Sequence, residues 1–194
     1  MQTTGESLLK HIARFVDVTT SDFENILSYF KPVNIEKKKN LLTEGKVCTS
    51  NYFVMKGCLR MFFINEKGIE QTTQFALENW WIADYTSFSN QKPAAYYIQA
   101  VERSELLALD FQAQEKMLKA FPLMERYFRL MHQRAHAASQ FRIKSLYELS
   151  SEDRYYQFTR SYPEFVQRIP QYLLASYLRL TPEYLSEIKA KRLS

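Results

Sequence analysis

Residues 33–110 change from helical to strand periodicity, and this central stretch limits the possible folds more than any other feature. Runs of β-branched and aromatic residues, at 51–64 (NYFVMKGCLRMFFI) and 69–77 (IEQTTQFAL), are typical of strands. The sequence NEKG between them predicts a hairpin turn in which Gly68 adopts a positive φ angle. Short strands at this spacing predict an antiparallel β-sandwich or jelly roll.

Helical patterns flank this region on both sides. Residues 5–31 are predicted to be helical, with Thr20 or Ser21 as an internal helix cap and Pro32 as the stop. Residues 123–147 contain neither Gly nor Pro, which predicts a helix of about 37 Å. The fold class is therefore α+β, with N-terminal helices, an antiparallel β-jelly roll, one long helix and a terminal pair of short helices.

The long helix, at about residues 122–147, carries a stripe whose positions alternate steps of four and three, the spacing of a coiled-coil seam. The stripe consists of Leu123, Tyr127, Leu130, Arg134, Ala137 and Phe141. This pattern fits either a dimerisation seam or a helix that packs against its own sheet. The length of the helix favours the dimer.

The segment IPQYLLASYLRLTPEYLSEIKAKR, residues 169–192, predicts two short helices joined by about three residues. Thr181 is expected to cap the second helix, with Pro182 at its first position and Glu183 in its first turn. Leu185 is expected to face inward. Two helices joined in this way form the helix-turn-helix that places its second helix in the DNA major groove.

The positive charge of the chain lies in the same region. Residues 1–120 contain 14 Lys or Arg and 14 Asp or Glu, whereas residues 121–194 contain 12 and 7. The whole net charge of +5 therefore belongs to the last third. Such a local excess fits a polyanion partner, although a solvated surplus of surface charge gives the same count.

Other functional classes lack their usual residues. Cys48 and Cys58 have no CxxC spacing and predict buried thiols. The three histidines, His11, His132 and His136, lie on predicted helices, so no strand-borne metal site is expected. No phosphate loop, nucleophile motif, signal peptide or membrane-spanning run is recognisable. We expect a cytoplasmic protein that is not an enzyme, uses no cofactor or metal, and has no membrane partner.

Two segments resemble the cyclic AMP receptor protein and fumarate–nitrate regulator superfamily. Residues 175–192 (ASYLRLTPEYLSEIKAKR) resemble its recognition segment, and residues 41–63 (LLTEGKVCTSNYFVMKGCLRMFF) resemble its jelly-roll signature. The resemblance implies a homodimeric transcription regulator that binds a pseudo-palindromic double-stranded DNA operator, with RNA polymerase as a candidate partner. It divides the chain into a cyclic-nucleotide-binding-like roll with a dimerisation helix (1–148) and a helix-turn-helix domain (149–194).

The effector cassette departs from the pattern of that family. Asp84 stands where the family has an acid that holds a ribose, but Ala94 and Ala95 stand where it has the Arg-Ser pair that holds the cyclic phosphate. Without these donors, cyclic nucleotide binding is not expected. A pocket for another small-molecule effector would be lined by Trp81, Asp84, Tyr85, Ala94, Ala95 and Tyr97. The alternative, which we favour, is a roll filled by its own side chains.

The recognition segment departs as well. Arg179 stands at the turn position where the family usually has Gly, which predicts a left-handed or distorted residue. Glu187, where the family often has a guanine-reading Arg, either accepts from cytosine or pairs with Lys191. The predicted DNA-binding residues are Gln171, Thr181, Pro182, Glu183, Tyr184, Glu187, Lys189, Lys191 and Arg192. Arg179 and Glu187 also fit the rival hypothesis, a ligand-binding or protein-interaction module whose helix-turn-helix no longer reads DNA.

Overall fold

A computed structural model of the chain describes residues 5–191. The elements follow the predicted order of helices, strands and helices. The helices are α1 (Glu6–Ala13), α2 (Thr20–Leu27), α3 (Tyr85–Asn90), α4 (Phe111–Ala120), α5 (Leu123–Glu148), α6 (Ser151–Ser161), α7 (Pro163–Arg168), α8 (Gln171–Leu178) and α9 (Pro182–Lys191). The strands are β1 (Lys31–Ile35), β2 (Asn40–Leu42), β3 (Ser50–Lys56), β4 (Leu59–Ile64), β5 (Glu70–Ala76), β6 (Trp81–Ile82), β7 (Tyr97–Ala100) and β8 (Ser104–Asp110). Among the helices of this part of the chain, none combines the length and apolar character needed to cross a bilayer.

The strands form two antiparallel four-stranded sheets, which confirms the predicted antiparallel roll. Sheet A has the order β1-β8-β3-β6, and sheet B has the order β2-β7-β4-β5. Side chains alternate between the two faces of a strand, so every second residue faces the space between the sheets. Val54, Leu59, Ile82 and Ile98 are among the fully buried side chains that fill this space.

The predicted strand run at 51–64 is divided by Gly57, which lies between β3 and β4. Its φ angle is +105°, a region that disfavours residues with a Cβ atom. A Cβ at this position would lie 2.3 Å from Ser104 Oγ and 2.8 Å from the Ser104 Cα. The next turn matches the prediction, since Gly68 closes the β4–β5 hairpin with a φ angle of +75°.

The N-terminal helices cover the outer face of sheet A. Leu8 and Ile12 of α1 belong to a buried cluster that also contains Phe53 of β3 and Leu107 of β8. The predicted caps of α2, Thr20 and Ser21, are wrong. The cap is Thr19, whose side-chain oxygen accepts a hydrogen bond from the Asp22 amide at 3.1 Å, because this donor lies three residues after Thr19.

The predicted stop at Pro32 is also wrong. The chain has already left the helix, and Pro32 lies inside strand β1, opposite Leu107 of β8. Because β1 is at an edge of sheet A, a residue without an amide proton is tolerated there.

Helix α5 has 26 residues, close to the predicted length, and its two halves have different surroundings. Met124, Tyr127, Phe128 and Met131 are buried against sheet A and α1. Tyr127 therefore cannot form part of a dimerisation seam, because its side chain is fully buried within its own chain. The residues from His132 to Phe141 are all exposed.

The terminal helices pack against the roll of the same chain. One buried cluster contains Cys58, Phe75 and Val101 from the roll together with residues of all four helices α6–α9. The members from the helices and from the α7–α8 connection are Tyr155, Phe165, Ile169, Leu173, Leu174, Ala175, Leu178, Leu185 and Ile188. The outer face of the roll and the terminal helices therefore share an apolar core.

Candidate nucleic-acid interface and effector cassette

Helices α8 and α9 form a tight helical pair. Helix α8 ends at Arg179, which has φ 58° and ψ 44°, the left-handed conformation predicted for a turn position that usually takes Gly. The Leu180 amide closes the turn by donating to the Ala175 carbonyl at 2.9 Å. The connection is therefore short and well ordered although it contains an arginine.

The start of α9 also has the predicted geometry. The Tyr184 amide donates to Thr181 Oγ1 at 3.2 Å, as expected for an N-terminal cap, and Pro182 is the first residue of the helix. Leu185 and Ile188 are fully buried against the other terminal helices. These two anchors fix the rotation of α9 about its axis.

The opposite face of α9 is exposed to solvent. Glu183, Ser186, Glu187, Ala190 and Lys191 are exposed, whereas Tyr184 and Lys189 are half-buried. A helix of 10 residues with one anchored and one free face has the form needed to enter a major groove. The exposed face contains two carboxylates, so charge alone would not hold it against DNA.

The remaining predicted contacts have varied surroundings. Lys191 Nζ forms an ion pair with Glu152 Oε1 of α6 at 2.8 Å, and this carboxylate raises the pKa of Lys191. Glu152 is thus the ion-pair partner of this ammonium, and the charge of Glu187, the predicted partner, also raises the pKa of Lys191. Gln171 is exposed at the start of α8. Arg192 lies outside the described residues.

The effector cassette is built around Asp84. The Asp84 carboxylate caps α3 by accepting from the Ser87 amide at 3.1 Å through Oδ1, and it accepts from the Ala95 amide at 3.1 Å through Oδ2. The side chain is only 4% exposed. Because this residue is almost inaccessible to solvent and caps α3, it is poorly placed to hold a ribose.

The rest of the cassette does not fit a cyclic nucleotide either. Ala94 is buried in the core between the sheets and Ala95 is an exposed alanine, so neither supplies a donor for a phosphate. The Tyr85 ring packs edge-on against His132 of α5, with ring centroids 4.7 Å apart, and its hydroxyl approaches Asn51 Oδ1 at 3.4 Å. Side chains of the protein itself thus occupy this region, in agreement with a roll that is filled by its own residues.

Two predicted pocket residues, Trp81 and Tyr97, do not face the space between the two sheets. Trp81 is buried between sheet A and the helices, where its ring contacts Phe53 and its Nε1 donates to the Tyr127 hydroxyl at 2.8 Å. Tyr97 stacks on Phe62 outside the roll, with centroids 4.9 Å apart. Its neighbour Ile98 points inward instead, because side chains alternate along a strand.

A groove of about 1090 Å³ runs beside the second half of α5. Its lining includes Trp80 after β5, Phe141 and Ile143 of α5, and Tyr162 between α6 and α7. Each of these four side chains is about half exposed, between 48% and 60%. The sequence pattern identified Phe141 but missed the others, since none of them belongs to the coiled-coil stripe.

The two thiols are free and buried, as predicted. Burial raises the pKa of Cys58 to about 12, and the nearby Glu102 carboxylate acts in the same direction. Within residues 5–191, no group of three or more His, Cys, Asp or Glu side chains is placed to hold a metal ion.

Comparison with known proteins identifies the central region. Residues 32–121 match the family of cyclic nucleotide-binding domains. This match spans β1–β8 and α4, so the roll described above is of the cyclic nucleotide-binding type. No curated protein sequence is significantly similar to the chain.

Several solved structures share the fold over most of the chain. The catabolite activator protein of Thermus thermophilus is 19% identical, with 91% of this chain and 84% of that chain covered and a TM-score of 0.58. FixK2 of Bradyrhizobium japonicum is 14% identical, with coverages of 84% and 83% and a TM-score of 0.73. CLP of Xanthomonas campestris, a global regulator that responds to c-di-GMP, is 10% identical, with coverages of 90% and 92% and a TM-score of 0.76. At these identities the similarity establishes the fold, and the cyclic nucleotide-binding-type roll is therefore followed by helices arranged as in these proteins.

Proposed function

We propose that this protein is a homodimeric transcription regulator that binds a pseudo-palindromic DNA operator through α9. The observation that carries the proposal is the α8–α9 pair. Its second helix is capped by Thr181, anchored by Leu185 and Ile188, and free on the opposite face. These features support a helix-turn-helix unit whose second helix reads base edges.

The base-reading positions are Glu183 and Glu187. Both side chains are exposed, and the two residues are about one helical turn apart on α9. A carboxylate accepts hydrogen bonds and cannot donate, so it selects cytosine N4 over guanine O6 and N7. Gln171, Lys189 and Lys191 are assigned to the phosphate backbone, which positions the protein without reading sequence.

Dimerisation through α5 is supported by the exposure of its second half. The ten residues from His132 to Phe141 are exposed in the single chain, and Phe141, Ile143 and Tyr147 are 60%, 54% and 88% exposed. An isolated helical segment of this length gains little stability in water, whereas a second copy packed along it would bury these side chains. The groove beside α5 leaves room for that copy.

The dimer seam is therefore assigned to the second half of α5, with Arg134, Ala137 and Phe141 retained from the original stripe. Arg134 lies over the Phe15 ring of its own chain at 4.3 Å and marks the edge of the seam nearest the roll. Cyclic AMP is not assigned as an effector, because Ala94 and Ala95 supply no side-chain donor for a cyclic phosphate. RNA polymerase is a candidate partner of the DNA-bound dimer.

The experiment is selection from a randomised duplex library, followed by binding measurements between about 50 and 200 mM salt. We expect enrichment of a palindrome with half-sites about ten base pairs apart and a steep loss of affinity with salt. Lys191→Gln should reduce the salt slope by about 1. Lys119→Gln, an exposed lysine on α4, is the matched control and should leave the slope unchanged.

A second substitution tests base reading. Glu187→Ala should relax selection at one position of each half-site and cost about 1–3 kcal/mol of discrimination there. Glu164→Ala, an exposed acid in the first turn of α7, serves as its control. Weak binding with no enriched motif would contradict the proposal and favour the rival hypothesis of a ligand-binding or protein-interaction module.

A further inference from the structure

Besides their shared apolar core, the terminal helices and the second half of α5 contact the roll through three polar side chains among the described residues. The first is Arg168 at the end of α7, whose Nη1 and Nη2 donate to the two oxygens of Glu78, both at 2.9 Å. Nη2 also donates to Glu102. Glu78 Oε1 accepts in addition from the Gly57 amide at 2.8 Å. The guanidinium therefore joins α7 to the β5–β6 loop and to the turn between β7 and β8.

The charge of Glu78 is stabilised by these contacts. Burial raises the pKa of Glu78, but the hydrogen bonds from Arg168 and Gly57 outweigh this effect, so the pKa lies below its usual value. The same carboxylates raise the pKa of Arg168. Because a paired guanidinium and carboxylate form two parallel hydrogen bonds, this contact fixes an angle as well as a distance.

The second group is Ser176 of α8, which contacts the free edge of sheet B. Its Oγ accepts from the Thr72 amide at 2.9 Å and donates to the Glu70 carbonyl at 3.0 Å. Strand β5 is the last strand of its sheet, so these backbone groups have no neighbouring strand to pair with. One hydroxyl thus fixes the first helix of the helix-turn-helix to a strand edge.

The third group is Arg142 of α5. Its Nη1 donates to the Thr73 carbonyl of β5 at 2.7 Å, and its Nη2 donates to the Tyr177 carbonyl of α8 at 3.0 Å. The guanidinium also lies over the Tyr177 ring at 4.1 Å. A single side chain therefore connects the long helix, the roll and the helix-turn-helix.

We propose that these three groups, which we call the latch, set the distance and angle between the two recognition helices of the dimer. Arg168, Ser176 and Arg142 are then positioning residues that determine the half-site spacing of the operator. This inference rests on the proposed function, because it requires a dimer that reads DNA through α9.

The only covalent link between α5 and the helix-turn-helix passes through the junction at Leu149, which has extended backbone angles of φ −96° and ψ 143°. Rotation at such a residue would swing α6–α9 as a unit. In a two-fold dimer this swing moves the two recognition helices in opposite directions. Their separation therefore changes by twice the displacement of one helix. The latch opposes this rotation at points far from the junction.

The part of β5 that contacts α8 contains a buried polar atom without a hydrogen-bond partner among the described residues. This atom is Thr72 Oγ1. Water would hydrate this atom if α8 moved away, so detachment has a compensating gain. The directional contacts of the latch are therefore needed to favour one orientation.

The test compares Arg168→Gln with Arg168→Lys and with Arg160→Gln, an exposed arginine on α6. The probes are duplexes that carry the motif selected by the unaltered protein, as a single half-site and as pairs whose spacing is increased in steps of one base pair. We expect the unaltered protein to prefer one spacing by about tenfold or more, and Arg168→Gln to reduce this preference to about threefold. Single half-site affinity should stay within about twofold, because α9 itself is unchanged.

The two other variants define how the effect arises. Arg168→Lys retains one charge but loses the parallel pair of hydrogen bonds, so its spacing preference should be intermediate. Arg160→Gln should behave like the unaltered protein. A loss of stability alone would lower affinity for every duplex equally and would leave the spacing preference intact.

Exchange of the Thr72 amide provides a readout that needs no DNA. Among the described residues, the hydrogen-bond acceptor of this amide is Ser176, so Ser176→Ala and Arg168→Gln should each speed its exchange by about tenfold or more, while core amides of β3 keep their rates. Unchanged Thr72 exchange, or an unchanged spacing preference in Arg168→Gln, would overturn the latch. A protein that binds no duplex at all would instead refute the proposed function, and the positioning role with it.

Discussion

Tyr127→Phe is the substitution whose effect can be worked out in most detail. The Tyr127 hydroxyl accepts from Trp81 Nε1 at 2.8 Å and lies 2.7 Å from His11 Nδ1, to which it can donate. The side chain is fully buried, so removal of the oxygen leaves the buried Trp81 donor without a partner and removes the donor that His11 can accept from. The ring itself keeps its packing against Phe15 and Phe128.

The expected loss follows from these two orphaned groups. A buried donor without an acceptor costs about 1–3 kcal/mol, and the loss at His11 is smaller because this ring is partly accessible to water. We therefore expect Tyr127→Phe to reduce the free energy of unfolding by about 2–3 kcal/mol. For a chain of this size that corresponds to a fall in Tm of about 4–12 °C.

The assay is equilibrium unfolding in urea at pH 7, followed by far-UV circular dichroism and by tryptophan fluorescence. Tyr172→Phe is the matched control, because Tyr172 is 51% exposed and loses the same oxygen without leaving a buried partner. Its effect should stay within about 0.5 kcal/mol. Equal effects of the two substitutions would refute the assignment of Tyr127 as a shared hydrogen-bond partner.

The same site predicts a dependence of stability on pH. Burial, together with the charges of Arg14 and Arg134, lowers the pKa of His11 to about 4. The unfolded chain binds this proton near pH 6.5 and the folded chain only near pH 4, so stability should fall as the pH decreases across this interval. After allowance for the partial exposure of the ring, we expect a loss of about 2 kcal/mol from this group.

Tyr127→Phe should weaken this dependence. Without the hydroxyl proton, the neutral form of His11 loses its donor, and its pKa should rise toward the usual value. The rise should be modest, because burial is the largest cause of the shift and is unchanged. Titration of the His11 ring protons by NMR in both proteins measures the effect directly. A lower pKa in the variant would contradict the proposed direction of the hydrogen bond.

Three further substitutions or treatments test other parts of the molecule. Gly57→Ala should cost more than about 3 kcal/mol in urea unfolding, because its φ angle is +105° and a Cβ would meet the Ser104 backbone; a loss below about 1 kcal/mol would disprove this close approach. Arg179→Gly should raise stability by about 1 kcal/mol, since glycine adopts the left-handed turn conformation without strain, and destabilisation would count against this reasoning. Burial raises the pKa of Cys58 to about 12, so this thiol should react with an aromatic disulfide reagent at pH 8 only as fast as the chain unfolds. Rapid labelling of the native protein would contradict its burial.

Local features could be predicted well from the sequence. The cap at Thr181, the left-handed Arg179 and the turn at Gly68 each depend on a few neighbouring residues, and the structure places them as expected. The predicted cap of α2, Thr20 or Ser21, differs from the observed Thr19 by one or two residues, within a run where all three side chains are suitable acceptors. Only the position of the Asp22 amide in three dimensions selects Thr19.

Longer-range assignments failed where a periodic pattern gave no information about the neighbouring element. The stripe on α5 is real, but Tyr127 faces the roll, whereas Phe141 faces solvent. Tyr97 and Trp81 were placed in a pocket because they belong to the cassette segment. Strand alternation and the packing of sheet A against the helices direct both side chains elsewhere.

The latch was invisible in the sequence for the same reason. Arg168 is separated from Glu78 by 90 residues and from Glu102 by 66 residues, and neither acid lies in a recognisable motif. Ser176 was part of the segment that resembles a recognition unit, but its contact is with a strand edge 104 residues earlier in the chain. Such contacts depend on how preformed elements meet.

The covered edge of β5 has a consequence for how the protein can be handled and shortened. A fragment that ends near residue 148 would keep all eight strands but would lose Ser176, and with it the group that pairs with the Thr72 amide and the Glu70 carbonyl. The same cut would expose Phe75 and Val101 to water. An unpaired edge strand beside an apolar surface is a site for edge-to-edge aggregation. By covering both, the terminal helices protect the roll from aggregation.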